Sequence, residues 1–456
     1  MENRKLWENI LDFSFEKPNE EYGFSVRLAS ENAWTEYFAK NAILEYKKFM
    51  YLATISKEMV SPSEIVDIVW HQHLIFTQSY ADLGKILGKK IEHIPSTHNS
   101  SEKEKFILAK NRTKRLYEAN FGKQPELFWN YYSELDSIPL NKSKRKISEI
   151  NTLFLVAFLG LIMPFLYAIK PILEHIENPF FLVFYVPTFV ALIIFIELFA
   201  TKKYRNFIEK IYTNDIFYHL NPFELIMFKE NKLEQVIHSL TNSLIKQQKI
   251  KVMESQKLKL FDANPTGNLR KDLIIKQFKE KESMYYAELM KAVIAKPLFQ
   301  QYKDSVEKLR KLIFESKEYQ KIVLVGMALL TLFLSVGLCR LYLGISHDRP
   351  VLFLEVTLII FSIISFFYLQ RLKKGLFIET FIEHYQQEIT ERKEKNLEWD
   401  YAFLGAAILV GNFEPLTKYT DRNNGDGGSS GSSCGSSGGD GGGCGGGCGG
   451  CGGGGD

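Results

Sequence analysis

Asp67, Trp70, His71 and His73 fall within seven consecutive residues of the stretch VDIVWHQHLIF (66–76), in the middle of an otherwise apolar run. Carboxylate and imidazole are the side chains that bind borderline-soft divalent cations and that move protons near neutral pH. On a helix, residues four apart share a face, whereas residues two apart point about 200° away from each other. Asp67 and His71 can therefore serve one ion, and His73 cannot join them. His93, arriving from the loop ahead of Pro95, completes a His-His-carboxylate set with an open coordination position. The cofactor implied is a divalent metal such as zinc. The same residues support a plainer structural reading. In it Asp67 orients His71 by a charge-assisted hydrogen bond, while Trp70, His73 and Tyr80 pack inside as a polar network that fixes a helical bundle. Acid–base catalysis is a third reading, but no nucleophile motif accompanies it. Outside the Gly/Ser/Cys tail the chain has no G-x-S-x-G, no phosphate-binding loop and no Cys beside His.

The elements that must position these groups are helical. Residues 1–140 are rich in aromatics, and ENAWTEYFAKNAILEYKKFMYLATI places Trp34, Phe38, Ile43, Tyr46 and Phe49 close to one face, which predicts an all-α bundle. Further helices are expected over 62–87, started by a serine cap in SPSE, and over 101–120 and 124–135, with PSTHNSS (95–101) as a loop. Four later segments, 152–169, 179–200, 322–345 and 350–370, are apolar over the roughly 20 residues that a membrane-crossing helix needs. Basic residues flank these spans on one side: Lys142, Lys144, Arg145 and Lys146, then Lys202, Lys203 and Arg205, then Lys308, Arg310 and Lys311, then Arg371, Lys373 and Lys374. By the positive-inside bias the large polar parts and both termini are expected in the cytoplasm. Residues 1–18 lack the pattern of a secretory signal. With 456 residues and a formal charge of +4, the chain has room for several domains and implies no nucleic-acid partner.

Between the two membrane hairpins the sequence predicts a short helix, an amphipathic helix at 233–247 and two strands, KIKVM and KLKLF, which is the order of a winged helix. Glu234, Gln235, His238, Asn242 and Lys246 give the second helix a mixed face rather than a basic one, favouring a protein-contact or structural role over DNA binding. Residues 269–314 carry Lys and Glu three and four apart and read as a solvated helical face. WDYAFLGAAILVGNF (399–413) is too short to span a bilayer and is expected to pack against protein or the membrane interface. Two charges interrupt the second pair of spans: Arg340 lies five residues before Ile345 and Glu355 five after Pro350, so an ion pair across the hairpin is expected at one depth. From 423 onward the chain is almost wholly Gly, Ser, Cys and Asp, with nothing apolar to bury, and disorder is expected. Cys434, Cys444, Cys448 and Cys451 lie in this tail; a zinc site there would have to order all of it, and free thiols on a low-complexity extension are the alternative.

The string Asp67-x-x-Trp70-His71-x-His73, followed by Tyr80, Leu87-Gly88 and His93-x-Pro95, resembles the N-terminal domain of the glycine-rich domain proteins of plants and bacteria. GLCRLYLGISHDRPVLFLEV (337–356), with NPFELIMF upstream and the Gly/Cys tail, resembles uncharacterised bacterial membrane proteins ending in such tails. Glu92 departs from the first pattern, where a second histidine often precedes His93, and no cysteine follows Tyr80 in the next helix. The resemblance implies a bacterial inner-membrane location and no defined activity. The expected architecture is mainly α. It comprises a helical domain at 1–140, a linker and membrane hairpin at 141–200, a winged-helix-like α+β domain with a helical extension at 201–320, and a second hairpin at 321–371. An amphipathic segment at 372–422 and the disordered tail at 423–456 follow. The role expected is membrane-anchored binding or scaffolding, with protein partners on the cytoplasmic side. A metal-dependent enzyme using Asp67, His71 and His93 is the alternative; four helices with few polar residues outline no transport path.

Overall fold

The computed structural model describes residues 3–17, 20–94, 103–144, 147–176, 180–278, 281–394 and 396–425. The expected loop at 95–101 and the tail cysteines Cys434, Cys444, Cys448 and Cys451 lie outside these residues. Helices dominate, joined by one open three-stranded antiparallel sheet.

The N-terminal helices are α1 (Arg4–Asp12), α2 (Phe24–Asn32), α3 (Glu36–Ile55), α4 (Glu64–Ile75), α5 (Thr77–Leu87), α6 (Lys103–Phe121) and α7 (Glu126–Trp129). Side-chain caps start α3 and α4: Thr35 Oγ accepts from Phe38 N and Ser63 Oγ from Val66 N, satisfying amides that a helix start leaves open. Of the apolar face expected along α3, Trp34, Phe38, Tyr46 and Phe49 are buried, whereas Ile43 is only partly so and Ala42 faces the core in its place. One polar group is buried with them. Glu45 accepts from Tyr117 Oη (2.9 Å) and Trp129 Nε1 (2.7 Å) and pairs with Lys48 (2.7 Å), which joins α3, α6 and α7.

The next helices are α8 (Ile147–Glu174), α9 (Phe180–Tyr212), α10 (Asp215–Tyr218), α11 (Pro222–Glu230) and α12 (Leu233–Lys246). Strands β1 (Ile250–Val252) and β2 (Lys257–Leu260) follow, then α13 (Leu269–Lys276), β3 (Ser283–Tyr285), α14 (Tyr286–Ile294) and α15 (Pro297–Phe314). The helix–helix–hairpin order is present, but a third strand pairs with β2, with Leu258 opposite Met284. The solvated face expected over 269–314 is not what forms. Leu273, Ile274, Leu289, Met290, Val293, Leu298, Phe299, Tyr302, Val306, Leu309 and Ile313 are all buried, because α13 and α14 pack on α12 and α15 on α2 and α11; Lys291, Lys303, Glu307 and Lys311 lie on exposed faces, whereas Lys271 is buried against Glu398 at 2.7 Å.

α16 (Lys317–Ser346) and α17 (Leu352–Gln370) follow. A π turn at Arg371–Gly375 carries α17 into α18 (Leu376–Glu391), and α19 (Leu397–Leu404) and α20 (Glu414–Gly425) end the described chain. Among the described residues, three helices are long and apolar enough to cross a membrane: Phe180–Tyr212, Lys317–Ser346 and the continuous Leu352–Glu391. The remaining expected span, 152–169, lies within the 28-residue α8. α16 packs against α8, α9 and α17.

The ion pair expected between Arg340 and Glu355 is not formed. Arg340 is buried and donates to the carbonyls of Leu173 and Ile176 at 2.6 Å each, capping the end of α8. Equal depth fixes only height along a helix, whereas rotation about the axis decides which side chains meet; here Arg340 faces α8. At the opposite end of α17, among the described residues, Glu197 of α9 pairs with Arg371 of the π turn at 2.7 Å.

Candidate metal centre

Ser63 sets the start of α4 and also donates to the Phe128 carbonyl at 2.6 Å, fixing the helix against α7. One turn in, Asp67 and His71 project from the same face, with His71 exposed and Asp67 half-buried. His93 arrives from the extended segment after α5. Its position is set by a relay in which Trp70 Nε1 donates to Tyr80 Oη (3.1 Å) and the Tyr80 hydroxyl donates to the Ile91 carbonyl (2.5 Å), two residues before His93. The His93 ring stands edge-on to Trp70, with centroids 4.6 Å apart.

The three expected ligands come together. His71 Nε2 lies 3.0 Å from His93 Nε2, His93 Nε2 lies 3.0 Å from Asp67 Oδ1, and His71 Nε2 lies 3.5 Å from Asp67 Oδ2. One ligand atom from each of the three lies within 4.8 Å of the others. Two ligands at zinc bond lengths of about 2.0–2.1 Å in a tetrahedral shell stand about 3.3 Å apart. The observed separations bracket that value, so the donor set fits one face of a tetrahedron. The Asp67 carboxylate is closer to His93 than to His71, so the hydrogen bond expected to orient His71 belongs more to His93.

The three side chains line a cleft of about 750 Å³ whose other lining residues include Trp70, Phe106, Trp129, Tyr131 and Tyr132, with Glu64, Glu92 and Lys110. None of these cleft residues except Trp70 and Glu92 was picked out from the sequence, since the cleft is assembled from α4, α6 and the chain after α7.

His73 points the other way, as the helical phase requires. It is fully buried, bonded through Nδ1 to Tyr46 Oη (2.9 Å) and through Nε2 to Ser79 Oγ (3.0 Å), with the Phe15 ring at 4.8 Å and the Tyr80 ring at 5.2 Å. Burial pushes its pKa down to about 4, so the ring is neutral at physiological pH. The metal and structural readings therefore divide one helix: Asp67 and His71 on the outer face, Trp70 and His73 inside. Tyr46 and Ser79 were missed as partners of His73, because each is an ordinary residue brought to it by packing.

A second histidine cluster lies in the central unit. His238 of α12 is buried, with Nε2 3.0 Å from Asp421 Oδ1 and Nδ1 2.6 Å from Tyr286 Oη. Gln235 accepts from Tyr401 Oη (2.8 Å) and Asn242 accepts from Val410 N (2.9 Å). Gln235, His238 and Asn242 of the mixed face of α12 are thus met by the chain's own residues Tyr401, Val410 and Asp421, while Lys246 is exposed.

The chain is 27% identical over 105 residues to glycine-rich domain-containing protein 1 of Arabidopsis thaliana and 27% identical over 107 residues to glycine-rich domain-containing protein 2 of the same plant. Each match covers 22% of this chain and 13% and 14% of the two plant proteins, so the chain spans only a small part of these relatives. No protein-family model matches the chain, and no solved structure matches it.

Proposed function

We propose that this chain is a multi-pass membrane protein that holds a divalent metal ion, for which zinc is suited, at Asp67, His71 and His93, and that it serves as a membrane-anchored binding or scaffolding protein. The observation that carries this reading is the convergence of three ligand atoms within 4.8 Å, at the edge of an aromatic cleft, in a chain that has three helices, among the described residues, apolar enough to cross a bilayer and the fourth expected span, 152–169, inside α8. The basic flanks of the apolar helices support placing the N-terminal helices and the tail together on the cytoplasmic side of a bacterial inner membrane. The open corner supports a second reading, a metal-dependent enzyme. A bound ion would there supply Lewis acidity and a water ionising near neutral pH, while the aromatic walls would orient a substrate and exclude bulk water.

The test is elemental analysis of the full chain purified in detergent. The wild type is expected to carry about one equivalent of zinc, iron or manganese, Asp67→Ala, His71→Ala and His93→Ala each to lose it, and His73→Ala to keep it at lower stability. No metal in the wild type, or equal loss in all four variants, would sink the proposal.

A further inference from the structure

The outer face of the three-stranded sheet presents lysines and aromatic rings together. In the register, Lys251 of β1 lies opposite Lys259 of β2, and Lys257 of β2 lies opposite Tyr285 of β3. The ladder continues one step past β2, where the Phe261 amide donates to the Lys249 carbonyl at 2.8 Å. Side chains alternate along a strand, so these six residues share one face. The intervening Ile250, Leu258 and Met284 are buried on the other face, against α12 and α14.

Two observations set this face apart from an ordinary solvated one. Phe261 and Tyr285 are 54% and 50% exposed. Lysines alone keep a short sheet from pairing with a further strand, but rings left in water beside them serve no such purpose. The second observation is what the lysines touch. Among the described residues, Lys251 and Lys257 meet rings rather than carboxylates: Lys251 Nζ stands 4.2 Å from the Phe261 centroid and Lys257 Nζ 4.9 Å from that of Tyr285. Lys259 meets Glu282, itself 92% exposed, at 3.9 Å, and Lys249 is held by Asp262 at 2.8 Å. With about 3.4 Å per residue along a strand and about 4.8 Å between strands, Phe261 and Tyr285 stand about 14 Å apart, and the lysines lie between them.

We propose that this face binds single-stranded nucleic acid, with Lys251, Lys257 and Lys259 on the phosphates and bases stacked on Phe261 and Tyr285. Ring, cations, ring is an order that a single strand matches by its alternation of bases and phosphates. An ammonium over an exposed ring holds less strongly than a base stacked on it, so a strand takes the rings and leaves the lysines to its phosphates. An acidic peptide would use the lysines and leave the rings without a role. A bilayer interface would draw the rings below the level of the ammonium groups, whereas here the two are interleaved on one face. Gln235, His238 and Asn242 of α12 are engaged within the chain, so that helix is not presented to the groove of a duplex. The inference goes beyond the proposed function and depends on neither the metal centre nor the bilayer.

The experiment is fluorescence anisotropy of a short labelled oligothymidylate titrated with the full chain in neutral detergent. Binding is expected at low salt, with log K falling against log salt at a slope of about −2, the value for three phosphates of a single strand. Lys251→Gln and Lys257→Gln should each reduce that slope by about 0.7. Phe261→Leu and Tyr285→Leu should each weaken binding about tenfold at an unchanged slope. An unchanged thermal midpoint checks that these outer-face variants fold, and Lys303→Gln, on the exposed side of α15, should bind as the wild type does. No binding at low salt, or equal loss in Lys303→Gln and Lys251→Gln, would overturn the proposal, as would tighter binding of a duplex than of the single strand. Displacement of the oligonucleotide by polyglutamate of equal charge would overturn it in favour of an acidic protein, and displacement by phosphatidylglycerol added to the micelles would overturn it in favour of a membrane surface.

Discussion

The Tyr80 hydroxyl accepts from Trp70 and donates to the Ile91 carbonyl, so one oxygen decides where the chain bearing His93 can run. Tyr80→Phe keeps the ring that packs on His73 and removes only that tether. It is expected to weaken metal binding about tenfold to a hundredfold, the usual cost of losing a group that orients a ligand, while the thermal midpoint moves little. Competition with a chromophoric chelator measures the affinity; an unchanged value would mean that His93 is positioned by Trp70 contact alone. Asp67 and His71 were legible in the sequence as residues sharing one face because helical phase is a property of spacing. Trp70 and Tyr80 were legible as a structural pair, but their service to His93 was not, since it depends on a main-chain carbonyl at Ile91. Glu45 with Tyr117 and Trp129 left no local signal at all: its partners lie 72 and 84 residues away.

At the scale of elements, the apolar helices follow directly from composition, and what composition could not supply was their rotation. Arg340 and Glu355 stood out as charges in apolar segments, and the depth argument paired them. The structure gives Arg340 to α8 and pairs Glu197, on α9, with Arg371. Tyr368 Oη donates to the same carboxylate at 3.0 Å, and Glu379 holds the other side of Arg371 at 2.9 Å. The π turn places Arg371 there, and it turns the Leu372 carbonyl to accept from Tyr204 Oη at 2.9 Å. Gly326 allows the approach, since a Cβ there would meet Leu372 Cδ2 at 2.4 Å. Both charged side chains are partly exposed, so the coupling is modest. In a double-mutant cycle Glu197→Gln and Arg371→Gln should each destabilise, with a coupling of about 1 kcal/mol. Additive thermal shifts in the double variant would show that the pair contributes no net coupling. The same limit on sequence reading applies to residues 269–314, where Lys and Glu spacing suggested a solvated face. Charges mark the outer side of a helix and say little about how much of the inner side is covered.

Over the whole molecule, the N-terminal helices pack against α13 and α15, and ion pairs join the two sides. Arg270 of α13 pairs with Glu36 of α3 at 2.6 Å, and Glu21 takes Lys276 at 2.6 Å and Lys296 at 2.9 Å. Tyr37 stacks on His219 with centroids 4.0 Å apart, and α2 packs along α15. Two buried carboxyls meet the first turn of α3 from opposite units. Glu134 accepts from the Thr35 amide and hydroxyl, and Glu224 accepts from the amides of Glu36 (2.8 Å) and Asn221 (2.9 Å). Burial raises Glu134 to about 7; burial together with the charge of Glu36 raises Glu224 to about 8. The groups facing them are Glu36 on α3, Arg270 on α13, Tyr302 and Lys308 on α15 and Tyr385 on α18. Both carboxyls bind protons more tightly in the folded chain than in the unfolded one, where the ordinary value is near 4.5. Their contribution is therefore complete below about pH 4.5 and is lost as pH rises through about 7 and 8. Glu21, whose two lysines lower its pKa, acts oppositely and only at more acid pH. The thermal midpoint of the full chain in detergent is expected to fall between pH 6 and 8.5. Glu134→Gln should remove a share of that slope worth about 1.4 kcal/mol between pH 6 and 8.5, because glutamine never ionises yet its carbonyl still accepts from Thr35. Glu224→Gln should flatten the slope as well but start from a lower midpoint at pH 6, since its two oxygens serve two different amides and an amide NH₂ can accept from neither. A midpoint that does not change from pH 6 to 8.5 in the wild type, or an identical slope in Glu134→Gln, would show that these carboxyls are not neutral at the joint between the two units.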